Sequence, residues 1–155
     1  MKVRETARRQ YIQIVDAAAA QLQTLRTPGE GWLSTLRKAL GMSGAQVAAR
    51  AGVSRAAVYQ AERNECDGAI TIAQMHKLAE AMGGRFVYAV IPDTGRVEDM
   101  IQAQARRVAK DLVLGASAHM ALEQQSLPRE QTAQRIDELT DELARDMPPG
   151  FWHAG

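Results

Sequence analysis

The segment from Ser54 to Arg63 carries side chains whose types and spacing suit contacts with a nucleic acid. If this segment is a helix whose Val58 and Ala61 turn inward, helical spacing turns a second set of side chains outward together. That set is Arg55, Ala56, Tyr59, Gln60 and Arg63. Arginine can donate two parallel hydrogen bonds to guanine, and glutamine pairs in a similar way with adenine. The pattern predicts a base-reading surface flanked by phosphate-binding side chains, and the alternative is an ordinary solvated helix face.

Two short helices around a tight turn are expected to position this surface. Ser43 precedes Gln46 by three residues, which is the capping-box spacing at the start of a helix. Gly52 can adopt the positive φ that the turn needs, and Ala48 is small enough for the two helices to cross closely. The residues predicted to form the core between the helices are Val47, Val53 and Val58. With Ser54 as its cap, the second helix is then free to lie in a DNA major groove.

The residues from Gly41 to Leu78 resemble the helix-turn-helix of lambda-repressor-like, or XRE-type, transcriptional regulators. The resemblance rests on a helix, a serine cap, an alanine at the crossing position, a Gly-Val-Ser turn, and Val58 with a glutamate four residues later. It implies that this Glu62 pairs with Arg37 to hold the fold together. It also implies a DNA interface in which Arg55, Ala56 and Gln60 face the bases. Ser43, Tyr59 and Arg63 lie nearer the phosphates in this interface. Ser54 is a further DNA-binding residue.

Position 44 departs from the pattern of that family. Its members commonly have a glutamine as the second residue of the capped helix, where the side chain touches a phosphate. This chain has Gly44 at that position, and glycine has no side chain to make the contact. The resemblance therefore does not carry this phosphate contact over.

A wider resemblance covers almost the whole chain. The sequence AITIAQMHKLAEAMGGRFVYAVIP at 69–92 and the later ARRVAKDL and HMALEQQ are similar to the family called mobile mystery protein A. Membership implies a bacterial, antitoxin-like regulator found beside a Fic-domain protein, whose fold transfers AMP to proteins. The implied function is a sequence-specific DNA-binding transcriptional regulator that autoregulates an operon with a Fic-type toxin. The alternative is an antitoxin that inhibits the Fic enzyme by direct binding, and both roles can coexist.

A short pattern of Fic inhibitors has two imperfect matches in this chain. Small antitoxins of Fic enzymes carry a Ser or Thr, three residues, then Glu and a Gly or Asn, and the Glu displaces the γ-phosphate of ATP. Ser126 with Glu130 and Thr94 with Glu98 match this spacing, but both miss the last position. Ser126 and Glu130 are the candidate inhibitory pair, and the alternative is a chance match among many hydroxyl residues.

The two parts of the chain differ in charge, although the formal net charge is only +1. Residues 1–63 contain ten basic and four acidic side chains, whereas residues 64–155 contain nine and fourteen. A basic region suits a polyanion and an acidic region does not. Double-stranded DNA is therefore expected to bind the first part, and a protein such as a Fic-domain partner is expected at the second.

No motif in the sequence indicates an enzyme, a cofactor or a metal site. Cys66 is the only cysteine, so no internal disulfide can form, and no basic neighbour in sequence activates its thiol. The histidines, His76, His119 and His153, lack the spacing of metal ligands. The sequence also has no Gly-rich phosphate loop and no nucleophile with an evident base. We therefore expect a binding protein without catalytic activity.

The hydrophobic periodicity predicts a mainly α-helical chain built around a lambda-repressor-like helix-turn-helix bundle. An amphipathic helix is predicted within 1–27, the DNA-binding domain over 28–84, a short β-strand over 85–92 and a helical partner-binding region over 93–155. Apolar residues predicted to face inward include Val3, Tyr11, Trp32, Leu40 and Leu112.

Residues 85–91 have the composition of a strand, with β-branched and aromatic side chains, and Pro92 ends it. A lone strand leaves backbone donors and acceptors unpaired, so we expect antiparallel pairing with the same strand of a second chain in a homodimer. One alternative is an edge segment lying on helices. Another is a dimer formed through the N-terminal helix.

Membrane and export signals are not evident. The longest apolar runs, at 17–20 and 86–91, are far shorter than the roughly 20 residues that a membrane-spanning helix needs. The basic residues near the N-terminus are not followed by an apolar segment with a cleavage site. The expectation is a cytoplasmic protein that does not bind membranes.

Overall fold

Seven helices are present in the part of the chain that the computed structural model describes, residues 2–122 and 128–153. Their bounds are α1 (Lys2–Leu22), α2 (Trp32–Ala39), α3 (Gly44–Ala51), α4 (Arg55–Asp67), α5 (Ile72–Ala81), α6 (Val97–Leu122) and α7 (Arg129–Asp146). The prediction of a mainly helical chain is confirmed. None of these helices has the length and apolar content needed to cross a membrane.

The chain divides into two compact units. One unit is Thr24–Ala89 and contains α2 to α5. The other combines Met1–Gln23 with Val90–Gly155 and contains α1, α6 and α7. The first helix therefore belongs to the same unit as the last two helices, and not to the unit that directly follows it in sequence.

The core of the unit Thr24–Ala89 forms where α3 crosses α4. Val47 of α3 and Val58 of α4 are only 1% and 2% exposed, and Ala48 at the crossing is also buried. The other buried members of this core are Leu33, Ala61, Met75, Leu78 and Met82, which bring α2 and α5 onto it. The core predicted between α3 and α4 is confirmed, with Val53 half-buried at its edge.

The turn between α3 and α4 has the predicted caps. The Ser43 hydroxyl accepts the Gln46 backbone N–H, and the Gln46 side chain accepts the Ser43 N–H in return, which completes the capping box. Gly52 ends α3 with a φ of 69°, a conformation that costs glycine little and other residues more. The Ser54 hydroxyl then accepts the Ala57 N–H at 3.1 Å. These local bonds fix the direction in which α4 leaves the turn.

The N-terminus of α2 is capped by a side chain from α4. The Glu65 carboxylate accepts the backbone N–H groups of Trp32 at 2.6 Å and Leu33 at 2.9 Å. Gly31 precedes them with a φ of 84°, and a Cβ added there would lie 2.9 Å from that carboxylate. A carboxylate at a helix N-terminus satisfies donors that have no partner inside the helix and meets the positive end of its dipole. This cap, for which sequence spacing gives no signal, ties α2 to α4.

Helices α6 and α7 pack against each other through two small apolar clusters. One contains Ile101, Ala105, Ala144 and Phe151, and the other contains Ala109, Val113 and Ile136. Residues early in α6 contact residues late in α7, so the two helices run antiparallel. Ala105 and Ala109 are completely buried, and their small side chains allow the helices to approach closely.

Polar side chains of α1 and of Gln23, the residue that follows it, hold the segment that leads into α6. Asp16 accepts the backbone N–H of Val97 at 2.9 Å and the guanidinium of Arg96 at 3.3 Å, so it caps the first turn of α6. The Gln23 amide donates to the carbonyls of Pro92 and Gly95. These bonds connect stretches that are about 70 to 80 residues apart in sequence and explain why α1 shares a unit with α6.

The strand predicted over 85–92 is wrong for the single chain, because these described residues form no strand. A strand is defined by its ladder of hydrogen bonds, and no neighbouring strand exists in the described chain to form one. Phe86 and Tyr88 still stack with ring centroids 5.3 Å apart, as side chains two residues apart do on one face of an extended segment. The composition of residues 85–92 therefore favours an extended backbone. A β-strand in addition needs a second strand with which to form hydrogen bonds.

Several apolar residues predicted to face inward are exposed instead. In α1, Val3 and Tyr11 are 82% and 68% exposed, whereas Ala19 is buried. The others are Trp32, Leu40 and Leu112. Trp32 is the first residue of α2 and Leu40 follows its last residue, so both lie at the ends of that short helix. In the longer helices α1 and α6, an apolar stripe drifts around the axis, because 3.6 residues per turn does not match a fixed spacing. The stripe therefore includes residues beside the buried line.

Replacing Glu65 with alanine should lower the free energy of unfolding by about 1–2 kcal/mol, because two donors at the start of α2 lose their acceptor. Urea denaturation of the full chain measures this change. Amide hydrogen exchange at Trp32 and Leu33 should become faster in the same variant. Glu80→Ala removes an exposed carboxylate from α5 and serves as the control, with an expected change below about 0.5 kcal/mol. Equal effects of the two substitutions would contradict the cap.

Candidate nucleic-acid interface

One face of α4 presents the residues predicted to contact bases. Arg55, Ala56, Gln60 and Arg63 are all exposed, whereas Val58 is buried. At about 100° per residue, the four exposed positions fall within an arc of about 140° around the helix. The structure therefore brings these four side chains to one side of α4, with Arg55 and Ala56 in its first turn.

Tyr59 lies between two arginines and against the first residue of α3. The guanidinium carbons of Arg37 and Arg55 are each 5.5 Å from the centroid of its ring, within the range of cation–π attraction. A Cβ added at Gly44 would lie 2.5 Å from Cζ and 2.7 Å from the hydroxyl oxygen of Tyr59. The glycine at position 44 therefore makes room for this ring, which places the phenolic oxygen beside the N-terminus of α3.

A nearly buried ion pair fixes the rotation of α4 about its own axis. Arg37 of α2 donates from Nε and Nη2 to the two carboxylate oxygens of Glu62, at 2.5 and 3.2 Å. The side chains of these residues are only 12% and 11% exposed. Nη1 of the same arginine donates to the carbonyl of Met42 at 3.2 Å. The hydrogen bond that Arg37 donates to Glu62 raises the pKa of Arg37 above its ordinary value, so the guanidinium stays charged. The pair that the resemblance to XRE-type regulators implies is confirmed.

A line of exposed polar contacts orients the Gln60 amide. Its Nε2 donates to Oδ1 of Asn64 at 2.8 Å, and its Oε1 accepts from Nη2 of Arg63 at 2.9 Å. Hydrogen bonds between exposed side chains contribute little net free energy, since water competes for the same groups. They hold the amide in one orientation and can be exchanged for contacts with a base. Asn64 was not predicted, although its four-residue spacing from Gln60 is the spacing of such pairs.

The two capping serines remain available as donors. The side-chain oxygens of Ser43 and Ser54 each accept a backbone N–H, as the caps require. A hydroxyl that accepts in this way still has its own proton to donate. Both residues are exposed at helix N-termini, where backbone donors and the helix dipole favour anions. Capping and phosphate contact are therefore compatible at these positions.

The fold and the contacts of this unit agree with a comparison against protein families. Residues 33–88 match the family model described as Helix-turn-helix. The chain contains an XRE-type helix-turn-helix domain. No curated protein and no solved structure matches the chain. The matched range includes the Ser43 and Ser54 caps, the Gly52 turn and the core residues of α3, α4 and α5.

Within this domain α4 occupies the position of the recognition helix, the second of the two helices around the turn. The helix-turn-helix unit, residues 24–89, contains eight basic and five acidic side chains. Two of the acidic side chains, Glu62 and Glu65, are held by Arg37 and by the N-terminus of α2. Asp67, the last residue of α4, is exposed on the same side as Arg63, so only the N-terminal part of this face, which carries Arg55, is free of exposed carboxylates.

The residues that match the Fic-inhibitor spacing lie in the other unit. Ser126 falls outside the described residues, and Glu130 is exposed in the first turn of α7. Thr94 precedes α6, while Glu98 lies in its first turn. Residues four apart share a helix face only when both are helical. Thr94 is not helical, so Thr94 and Glu98 do not share a face. Among the described residues, no group of three or more potential ligands could hold a metal ion.

Gly44→Ala should destabilise the helix-turn-helix domain by about 1–3 kcal/mol, because the new methyl group overlaps the Tyr59 ring. Chemical denaturation of the single variants Gly44→Ala and Tyr59→Ala and of the double variant measures the coupling between the two positions. The double variant should be more stable than the sum of the single effects predicts, since the clash is absent. Gly29→Ala is the matched control, because nothing lies within 4 Å of a Cβ there. Additive effects would show that the ring does not occupy this space.

Proposed function

We propose that this chain is a sequence-specific DNA-binding transcriptional regulator whose α4 enters the major groove. The observation that supports it best is the exposed face of α4, which is held in one rotation by the Arg37–Glu62 pair and joined to α2 by Glu65. The helix-turn-helix match supports DNA binding by the domain. The proposal adds that particular bases are read.

The side chains on α4 suggest a division of roles. Arg55 can make a bidentate contact with guanine and Gln60 with adenine, and each such pair is worth about 1–3 kcal/mol of discrimination. Ala56 is small and apolar, which suits contact with a thymine methyl group. The residues assigned to the phosphates are Ser43, Ser54, Tyr59 and Arg63. In this assignment the Tyr59 hydroxyl supplies a donor near the N-terminus of α3, where Gly44 has no side chain.

The regulator is proposed to act as a homodimer on an operator in its own promoter. Two recognition helices then enter half-sites about one helical turn, roughly 34 Å, apart. This role places the protein in the cytoplasm with access to the chromosome and requires no cofactor and no catalysis. The autoregulated operon is proposed to encode a Fic-type toxin, on the basis of the resemblance to the mobile mystery protein A family.

Substitutions on α4 test the base contacts. Arg55→Ala and Gln60→Ala should each weaken binding to the protein's own upstream DNA by about 5- to 150-fold at fixed salt, which corresponds to 1–3 kcal/mol. Binding to a scrambled duplex should change much less. Fluorescence anisotropy across a salt series measures both. Arg63→Ala should weaken binding to both duplexes and reduce the salt slope by about 1.

Lys77→Ala is the charge-matched control, because it removes one exposed cation from α5 of the same domain. If Arg55→Ala and Lys77→Ala had equal effects on the two duplexes, α4 would not be the base-reading element. Retention of the wild-type preference by the variant with both Arg55→Ala and Gln60→Ala would lead to the same conclusion.

A second candidate function is direct inhibition of a Fic AMP-transferase as an antitoxin. The unit that contains α1, α6 and α7 has apolar clusters of its own. Its α7 exposes four carboxylates, Asp137, Glu138, Asp141 and Glu142, of which Asp137 pairs with Arg106 of α6 at 2.9 Å. Such a face is complementary to a basic surface on a partner. The candidate inhibitory pair of Ser126 and Glu130 belongs to this proposal.

Charge reversal on α7 tests this second function. The variant with Asp141→Arg and Glu142→Arg should bind the Fic-domain protein encoded beside it about tenfold more weakly, while operator binding stays unchanged. Calorimetry with the purified partner measures binding, and AMP transfer measures inhibition. A variant with Glu5→Arg and Asp111→Arg makes the same charge change at other exposed sites of the unit.

Glu130→Ala separates inhibition from binding. If the candidate pair acts as in Fic inhibitors, this variant should bind the partner normally and fail to suppress AMP transfer. Equal loss of binding in both charge-reversal variants would contradict a specific α7 surface. Full inhibition by Glu130→Ala would exclude this residue as the inhibitory glutamate.

A further inference from the structure

Residues 85–91 combine exposed apolar side chains with unpaired backbone groups. Val87, Tyr88 and Val90 are 55%, 60% and 93% exposed. Within the described part of the chain, no N–H or C=O group of residues 85–91 takes part in a hydrogen bond. An extended segment of this kind is a template for pairing with another strand. What residues 85–91 need in order to pair is a second strand with a compatible sequence.

One face of this segment is already held by its own domain. The His76 ring of α5 makes edge contacts with Phe86 and Tyr88, at centroid distances of 5.5 and 6.1 Å. Side chains alternate along an extended backbone, so Val87 and Ala89 point away from this aromatic cluster. The contacts with α5 reduce the freedom of the segment before any partner arrives, which lowers the entropy cost of pairing.

The sequence of 85–93 is complementary to itself about Ala89. If two copies pair antiparallel with Ala89 opposite Ala89, Arg85 of each copy lies opposite Asp93 of the other. Val87 then lies opposite Ile91, so an apolar centre is enclosed between two ion pairs. Arg85 and Asp93 are exposed and have no charged partner among the described residues. A shift of one residue in either direction separates these charges.

Pro92 is compatible with this register. When the Ala89 pair exchanges hydrogen bonds, the odd-numbered residues bond to the second copy and the even-numbered residues point their backbone groups outward. Pro92 lies at an outward position, where its missing N–H costs no ladder bond. Its carbonyl, which also points outward, already accepts the Gln23 amide at 3.0 Å.

We propose that residues 85–93 of two copies of this chain pair as an antiparallel two-stranded ribbon centred on Ala89. The ribbon is the dimer interface, and it rests on the homodimer of the proposed function. A strand over 85–93, which the described single chain does not form, then forms on dimerisation. A two-stranded ribbon alone is marginal in water, and here each strand is supported by its contacts with α5.

Cysteine cross-linking of the full chain tests the register. Single cysteines are introduced at positions 87, 88, 89, 90 and 91 in a Cys66→Ser background and oxidised without DNA. Ala89→Cys should give the highest yield of disulfide dimer, because Cα atoms in such a pair lie about 5.5 Å apart. Val87→Cys and Ile91→Cys should give little, since their copies are offset by four residues, about 13 Å. Tyr11→Cys probes the alternative dimer through α1.

A maximum at position 89 supports the ribbon. A maximum at any other position in 87–91 would overturn the register, and the highest yield at position 11 would overturn the interface. Sedimentation equilibrium of the unmodified chain is the companion measurement. A chain that stays monomeric up to high micromolar concentration would overturn the proposal outright.

A charge swap tests the ion pairs that define the register. Arg85→Asp and Asp93→Arg should each raise the dissociation constant of the dimer by about tenfold, because like charges face each other at both ends. The variant with both substitutions restores opposite charges and should return close to the wild-type value. Arg26→Asp, an exposed charge reversal elsewhere in the same unit, is the control.

If the loss of dimerisation free energy in the double variant equals the sum of the losses in the two single variants, the ion pairs are absent and the register is wrong. These measurements contain no DNA, so their failure leaves the α4 contacts untouched. Conversely, loss of the Arg55 and Gln60 effects would remove the proposed base contacts and leave the ribbon standing.

Discussion

The ion pair between Arg37 and Glu62 is the constraint on which the exposed face of α4 depends. Both side chains are almost inaccessible to water, so each charge is stabilised mainly by the opposite charge of its partner. Removing one partner of such a pair typically costs about 3–5 kcal/mol, because the remaining charge is left uncompensated. Any rotation of α4 about its axis would break the bidentate contact. The same bond therefore determines which side of α4 faces outward and where the Tyr59 ring lies.

Two of the carboxylates of α4 stabilise the fold of the helix-turn-helix domain. Glu62 and Glu65 both point towards α2, one to a guanidinium and the other to free backbone donors. These two carboxylates are thereby held inside the domain, away from Arg55, whereas Asp67 is exposed at the C-terminal end of α4. An acidic side chain beside Arg55 would repel phosphates. Fold stability and the sign of the exposed charge are thus coupled through the same two residues.

The helix-turn-helix could be predicted from the sequence because its signals are local. Contacts between residues that are distant in sequence could not be predicted. The capping box at Ser43, the glycine of the turn and the small core of valines all depend on neighbours within a few residues. The Glu65 cap joins residues 32 apart, and the fit between Gly44 and Tyr59 requires both positions to be known in space. No strand forms over 85–92, because a strand needs a second segment to share its hydrogen bonds and the described residues contain none.

The arrangement of the units along the chain has a consequence for the order of folding. Thr24–Ala89 is continuous, whereas the other unit combines Met1–Gln23 with residues that follow position 89. During synthesis the DNA-binding domain is complete and can fold while α1 still waits for α6 and α7. Closing the discontinuous unit requires contacts of high sequence separation, which form slowly. A newly made chain is therefore expected to complete its helix-turn-helix domain before the discontinuous unit has folded.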